Sequence, residues 1–254
     1  MHQAQIFIDT KVRSLAPSVK LSAITLNPTQ ATALKLALAN DAANYFYSGA
    51  VSIGDGIQAI ERSLYSWATV KLYYAVFYIA RSLLAIHGTA VLYDGTKPFS
   101  LESIPGATAI KREGPTHKAV LSSFASVLPN NPLISQPIGS ISAFDWLMLC
   151  REEVNYTQAR FCEPKAPAHF KLVAQQGIRK SVSAYVRDDS YLYTFDSQHA
   201  MLALPVEALK QTLKIFSAKG AIIKIDSDDA KYLSSLYFDK AGPLSEIISL
   251  FRSI

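Results

Sequence analysis

The chain has 254 residues, of which 50% are hydrophobic and 18% are charged, and its formal net charge is +5. This apolar content is enough to build a core, so the composition excludes a disordered or low-complexity protein. The positive charge lies in residues 1–187, which hold 18 Lys and Arg against 11 Asp and Glu, whereas residues 188–254 hold 7 against 9. Such a surface permits contact with nucleic acid, or it simply keeps the protein soluble, since no run of consecutive basic residues marks a binding arm.

Targeting and redox signals predict a cytoplasmic protein without membrane contact. Residues 1–17 lack the basic stretch followed by an apolar one that is typical of a secretory signal. The apolar run from Leu72 to Ile86 contains Arg81 and falls short of the roughly 18 uninterrupted apolar residues of a membrane span, so we expect a buried core helix there. Cys150 and Cys162 form no C-x-x-C pair, and no Cys/His spacing indicates zinc. We therefore expect neither a metal nor a cofactor.

Apolar residues at the three-to-four spacing of a helix predict a bundle of four or five helices. In chain order the predicted helices cover residues 28–48, 58–87, 117–127, 142–161 and 168–186. Asn27 is the expected N-cap of the first helix, with Pro28 at its first helical position. Thr116 is the expected N-cap of the third, and either Ser140 or Ser142 caps the fourth.

Turn residues separate these helices. Residues 52–56 hold two glycines and are predicted to form a loop. Residues 88–115 hold three prolines and four glycines, so they are predicted to be a long connection, which is often functional in a compact domain. Ahead of the bundle, residues 1–27 are predicted to be an N-terminal arm that is extended from Val19 to Leu26.

Residues 188–254 differ from the bundle at residues 28–187 because they mix strand and helix signals. The predicted strands are Tyr191–Phe195 and Ala221–Ile225, and the predicted helices are Val206–Ala218 and Asp228–Tyr237. A unit this short has a thin core of its own. We therefore expect a small mixed α/β unit docked on the bundle, within a fold that is mainly α.

The fourth helix, with the sequence FDWLMLCREEVNY from Phe144 to Tyr156, is the most informative. Positions four apart share a helix face, so we expect Arg151 beside Asn155 and Glu152 beside Tyr156. A permanently charged guanidinium with its fork of donors, next to an amide and a phenol, is a workable phosphate-binding set. The alternative is a polar contact between helices, in which Arg151 pairs with an acidic residue of its own helix.

The aromatic helix, WATVKLYYAVFYIARSLLAIHG from Trp67 to Gly88, resembles the second helix of HEPN proteins, the nucleotide-binding helical bundles of higher eukaryotes and prokaryotes. Residues 151–161 are similar to the late helix of the same family, and the resemblance covers about residues 30–185. It implies a dimeric helical bundle. Such bundles occur in RNA-cleaving toxins, in CRISPR and phage-defence effectors, and in non-cleaving nucleotide-binding or scaffolding modules.

The nuclease members of that family carry an R-x(4–6)-H motif on the late helix, and the resemblance places Arg151 at the arginine. None of residues 156–158, the matching positions for the histidine, is a histidine. A phenol or an amide does not readily accept a proton near pH 7, so another group is needed for cleavage. His117, which precedes Lys118 at a predicted helix N-terminus, is our candidate because such a position can hold a phosphate.

Two functions follow as expectations. The first is a HEPN-like effector of a toxin or phage-defence system that engages RNA or a nucleotide phosphate through Arg151, Asn155 and Tyr156, and that cleaves RNA without metal if His117 completes the site. The second is a catalytically inactive HEPN-like subunit that scaffolds a larger assembly, with residues 188–254 binding a protein partner. Both imply a homodimer.

Overall fold

A computed structural model describes residues 2–15, 19–220 and 225–251. The fold is 64% helical and 10% strand, which confirms the mainly-α class. The helices are α1 (Gln3–Phe7), α2 (Pro28–Glu61), α3 (Tyr65–Ile86), α4 (Thr116–Val127), α5 (Ala143–Glu152), α6 (Lys171–Gln176), α7 (Ile178–Arg187), α8 (Ala200–Ala218), α9 (Ser227–Leu236) and α10 (Ser245–Leu250). The strands are β1 (Thr89–Asp94), β2 (Lys97–Glu102), β3 (Ile110–Lys111), β4 (Pro137–Ile138), β5 (Ile141–Ser142), β6 (Phe238–Asp239) and β7 (Gly242–Pro243).

The chain divides into two compact units. The first comprises Met1–Phe46 and Ala80–Pro129, and the second comprises Tyr47–Ile79 and Asn130–Ile254. Because these borders fall inside α2 and α3, both long helices contribute to both units. The borders of these units differ from the domain borders that the sequence predicts after residues 27 and 187. The division into an arm, a bundle and a C-terminal unit stays a prediction.

The first unit contains an antiparallel sheet in the order β1-β2-β3 where the sequence predicted only a long connection. Strand β1 pairs with β2 from Thr89 opposite Glu102 to Asp94 opposite Lys97, and Gly95, with φ of +61°, forms the tight turn between them. Helix α4 packs against β2. The prediction was wrong because the glycines and prolines of this stretch lie at turns and strand ends, which leaves the strands themselves intact.

The predicted N-terminal arm begins with helix α1, and only part of its stretch from Val19 to Leu26 is extended. The carboxylate of Asp41 accepts hydrogen bonds from the first two backbone N–H groups of α1, at 2.8 and 2.9 Å. The side chain of Gln5 donates to the carbonyl of Tyr93 and accepts from its N–H, which ties α1 to β1. Within the predicted extended stretch, Leu21–Ala23 form a 3-10 turn, whereas Leu26 pairs with the backbone around Ala107.

Helix α2 continues without interruption through residues 52–56, which the sequence predicted to be a loop. A Cβ atom at Gly54 would lie 2.6 Å from Cβ of Leu236, and one at Gly56 would lie 2.8 Å from the side chain of Leu72. These two glycines therefore allow close packing of α2 inside the second unit. The prediction failed because a glycine that admits a neighbouring helix has the same sequence signal as one that ends a helix.

Helix α3 is the expected core helix, and Gly88, with φ of +83°, follows its end as predicted. Among the described residues it is the one helix that is long and apolar enough to cross a membrane by length and composition, with a mean hydropathy of 1.3. Within that apolar window, 72% is buried in the fold. A core helix of a soluble protein meets the same criterion.

Two predicted segments of the second unit, the helix over residues 168–186 and the strand over residues 191–195, are built differently from expectation. The helix predicted over residues 168–186 is broken at Gly177, with φ of +86°, into a short 3-10 turn, α6 and α7. Residues 191–195 form turns rather than a strand, because the carboxylate of Asp188 accepts hydrogen bonds from the N–H groups of Ser190 and Tyr193 and curls the chain. Most of the second predicted strand, residues 221–224, lies outside the described residues.

The helices predicted after residue 200 are confirmed. Helix α8 begins at Ala200, six positions before the predicted start, and α9 covers Ser227–Leu236. The side chain of Asp226 caps α9 by accepting from the N–H groups of Asp228 and Asp229. Within the second unit, α7 packs against both α8 and α10.

Candidate functional site

Helix α5 carries the candidate phosphate-binding residues and begins at a well-formed cap. The hydroxyl of Ser142 accepts a hydrogen bond from the N–H of Asp145 at 3.1 Å and donates one to its carboxylate at 2.7 Å. This identifies Ser142, rather than Ser140, as the N-cap. Directly after α5, residues 153–157 form a π-helical turn. Such turns recur at functional sites because they change the side-chain spacing along one helix face.

Arg151 is a buried cation, with only 8% of its surface exposed. Its guanidinium lies over the ring of Tyr73 at 5.0 Å and beside the ring of Tyr156 at 5.7 Å, both within the range of a cation–π contact. Nη2 donates to Oε1 of Glu152 at 3.0 Å. The buried Nε, in contrast, has no hydrogen-bond partner among the described residues. The site therefore holds a charged donor that its own surroundings do not satisfy.

The π-helical turn changes which residues lie beside Arg151. Tyr156, five positions along, supplies the ring contact, whereas the sequence prediction placed Asn155 there and paired Tyr156 with Glu152. Asn155 is exposed, and its side chain makes no hydrogen bond within the described part of the chain. The prediction assumed the four-residue step of an α-helix, and the wider turn after Glu152 replaces that step with one of five.

His117 belongs to the first unit, whereas Arg151, Asn155 and Tyr156 belong to the second. It lies in the first turn of α4 and is partly buried, next to the exposed Lys118. Pro115, and not the predicted Thr116, is the residue before the helix, and no side chain caps it. The N-terminus of a helix is a position that can hold an anion, and this stays the reason for proposing His117.

Two titratable neighbours of Arg151 are poorly suited to proton transfer at neutral pH. Burial raises the pKa of Tyr73 well above its ordinary value, although the adjacent Arg151 opposes that shift. Burial likewise raises the pKa of the Cys150 thiol to about 12, so it stays protonated and unreactive. The chemistry available at Arg151 is therefore binding by charge and by aromatic contact.

The sequence analysis overlooked His169, which lies near this part of α3 and α5. Its Nε2 is 3.0 Å from the hydroxyl of Thr69, one turn before Tyr73, and its ring meets the edge of Trp146 at 6.2 Å. Because the Thr69 hydroxyl donates to the carbonyl of Tyr65, it accepts from Nε2–H. Burial lowers the pKa of His169 to about 4, which keeps the ring neutral at pH 7. No spacing in the sequence signals this contact, since 100 residues separate the partners.

Comparisons with protein-family models, curated proteins and solved structures found no match to this chain. The resemblance to HEPN proteins therefore rests on the residues of the aromatic helix and the Arg151 helix. In the part of the chain that the structure describes, no group of three or more His, Cys, Asp or Glu side chains is placed to hold a metal ion.

Proposed function

We propose that this protein is a HEPN-like effector that engages RNA or a nucleotide phosphate through Arg151. The observation that carries the proposal is the buried Nε of Arg151, a charged donor with no acceptor within the described residues. A phosphoryl oxygen is a suitable acceptor for it. The carboxylate that pairs with Arg151 belongs to Glu152, whose side chain is 45% exposed, so water can replace that pair when an anion arrives.

Aromatic side chains support a nucleic-acid ligand in particular. Tyr156 is 76% exposed while its ring stays beside the guanidinium. An exposed ring beside a cation offers a stacking surface for an unpaired base, in addition to a phosphate contact.

RNA binding by Arg151 variants tests the proposal. We expect Arg151→Ala to weaken binding of a fluorescent single-stranded RNA by about tenfold or more, because a charged hydrogen bond and one phosphate contact are lost. Arg151→Lys keeps the charge but loses the fork of donors, so its affinity for RNA should fall between those of the wild type and Arg151→Ala. Fluorescence anisotropy at several salt concentrations measures both effects.

Arg160 offers a matched control, since it is an exposed arginine of the same unit and its loss removes the same charge. Tyr156→Ala removes the stacking surface. Because Tyr156 is exposed, this change leaves the fold intact, and a loss of RNA affinity then reports on stacking. Equal RNA affinity of the wild type, Arg151→Ala and Tyr156→Ala would contradict the proposal.

Cleavage of the bound RNA is a separate step that needs a proton acceptor, and His117 is our candidate. We expect a metal-independent reaction that leaves a 2′,3′-cyclic phosphate. His117→Ala should lower the rate about 10²- to 10⁴-fold, as loss of a general base does, while RNA affinity changes only a few-fold. Single-turnover assays with and without EDTA measure this. Activity that survives His117→Ala, or that disappears with EDTA, would rule the mechanism out.

The second candidate function is a catalytically inactive, HEPN-like subunit that dimerises and binds a protein partner in a larger assembly. It is favoured by the ion pair of Arg151 with Glu152, which neutralises the cation in the free protein, and by the absence of a histidine at residues 156–158. Trp67 and Phe161, which are both about half exposed and whose rings meet edge to face at 5.7 Å, then serve protein association. A stable dimer that neither binds nor cleaves RNA would support this function over the first.

A further inference from the structure

The second unit contains an open cavity of about 810 Å³ that neither proposed function uses. Its lining comes from the end of α2, the start of α3, the junction of α6 with α7, the β6–β7 hairpin and the start of α10. Sites for small molecules in proteins have volumes of about 300 to 1,000 Å³. The cavity is therefore large enough for a metabolite of moderate size.

Ion pairs and hydrogen bonds fix the walls of this cavity. Arg179, at the start of α7, binds the carboxylate of Asp239 and the carbonyls of Gly242 and Pro243, which pins the hairpin to the helix. Burial raises the pKa of Asp239, but its hydrogen bonds, chiefly the one from Arg179, hold that pKa below its usual value. On α10, Glu246 accepts hydrogen bonds from Ser183 and Arg187.

Two lysines of the lining remain without such partners. Lys180 follows Arg179 on α7, Lys240 follows Asp239 on the hairpin, and both line the cavity. Neither side chain makes an ion pair or a hydrogen bond within residues 2–15, 19–220 and 225–251. Glu61, also in the lining, is likewise unpaired there. The charges left unpaired are thus two positive and one negative.

Apolar side chains complete the lining. Ile178, Val182 and Leu244 are buried in the fold and border the cavity, beside the ring of Tyr65. A ligand with an apolar or planar body gains from covering such a surface, whereas a small inorganic ion does not.

We propose that this cavity binds an organic phosphate monoester, with its phosphate on Lys180 and Lys240 and its body on the apolar lining. A phosphate monoester carries between one and two negative charges at pH 7, which matches two unpaired ammonium groups. The carboxylate of Glu61 accepts a hydrogen bond from a hydroxyl or amino group of the body. The proposal is independent of RNA binding at Arg151.

Isothermal titration calorimetry with adenosine 5′-monophosphate, inorganic phosphate and adenosine tests the inference. Adenosine 5′-monophosphate should bind the full chain at least about tenfold more tightly than either of the other two, because only it satisfies both the lysines and the apolar lining. Binding of inorganic phosphate with equal affinity would overturn the organic part of the proposal. The absence of heat with all three at millimolar concentration would overturn it entirely.

Variants locate the site. Lys180→Gln with Lys240→Gln should weaken nucleotide binding by about tenfold or more, as should the cavity-filling Ala174→Trp at an exposed position of the lining. The control pair Lys171→Gln and Lys219→Gln removes two exposed charges of the same unit outside the cavity. Because Arg151 is itself proposed to engage a nucleotide phosphate, the same titration of Arg151→Ala shows whether any of the heat comes from that site. Equal loss in the control pair, or loss only in Arg151→Ala, would contradict the inference.

Discussion

At the scale of single residues, Arg151 combines burial with incomplete hydrogen bonding. The ring of Tyr73 covers one side of the guanidinium, Glu152 pairs with Nη2, and Nε is left unsatisfied within the described residues. An unsatisfied buried donor costs about 1–3 kcal/mol of folding free energy, so a chain that keeps one gains from an acceptor supplied by a ligand. This is the physical reason for proposing a phosphate contact at Nε of Arg151.

A second residue, His169, makes the stability of the protein depend on pH. Its pKa is about 4 in the folded state and about 6.5 in the unfolded chain, so the unfolded state takes up the proton first as the pH falls. The stabilisation is fully present above pH 6.5 and is lost as the pH falls from 6.5 to 4, at up to about 1.4 kcal/mol per pH unit. Burial also lowers the pKa of His2, so protonation of His2 in the unfolded chain adds to the loss of stability at acidic pH.

The variant His169→Gln isolates the contribution of His169. Urea unfolding at pH 7.5 and at pH 5.0 should show a large loss of stability in the wild type and a loss smaller by up to about 2 kcal/mol in the variant. An identical pH dependence in both proteins would show that His169 titrates normally in the fold.

At the scale of secondary-structure elements, the position of α5 depends on its cap. Ser142 satisfies the N–H of Asp145, whereas Ser140, two residues earlier, is exposed and makes no hydrogen bond within the described residues. We expect Ser142→Ala to lower the free energy of unfolding by about 1 kcal/mol, the usual effect of losing a serine cap. Ser140→Ala should change it by no more than about 0.5 kcal/mol. Urea denaturation midpoints of the two variants compare the effects directly, and equal midpoints would exclude Ser142 as the cap.

Helix α2 shows at the same scale how packing overrides local propensity. Glycine costs about 1 kcal/mol relative to alanine inside a helix, and α2 contains three of them between Gly49 and Gly56. All three positions have a neighbour closer than 3.0 Å to the place of a Cβ atom. The helix persists because the contacts that these glycines permit outweigh their propensity.

At the scale of the whole molecule, we predict a homodimer in which α3 and α5 form a two-fold interface that buries more than about 1,000 Å² in total. Trp67, Leu149 and Phe161 are each between 45% and 52% exposed on or beside these elements, which leaves apolar surface available for a second copy. Multi-angle light scattering should therefore give twice the chain mass at micromolar concentration.

Substitutions on that surface test the dimer. Trp67→Lys should shift the population towards monomer, because it places a charge inside the interface. Tyr232→Lys is the control, since Tyr232 is an equally exposed aromatic residue on α9. A wild-type monomer at micromolar concentration would contradict the interface.

The sequence by itself determined the features that depend on a few neighbouring residues. The mainly-α class, the start of α2 at Pro28, the end of α3 before Gly88 and a serine cap for α5, at either Ser140 or Ser142, all follow from local hydrogen bonds and from apolar periodicity. Arg151 was proposed as the cation of the candidate site from its residue type and its helix together with the resemblance to HEPN proteins, and that proposal stays a prediction.

Only the tertiary structure decided the features that depend on distant partners. Gly54 lies within a helix because Leu236 packs against it, and His169 stays neutral because Thr69 and the surrounding fold bury it. Tyr156, and not the expected Asn155, lies beside Arg151 because a π-helical turn follows Glu152. Side chains far apart in sequence create these environments, and local propensity carries no information about them.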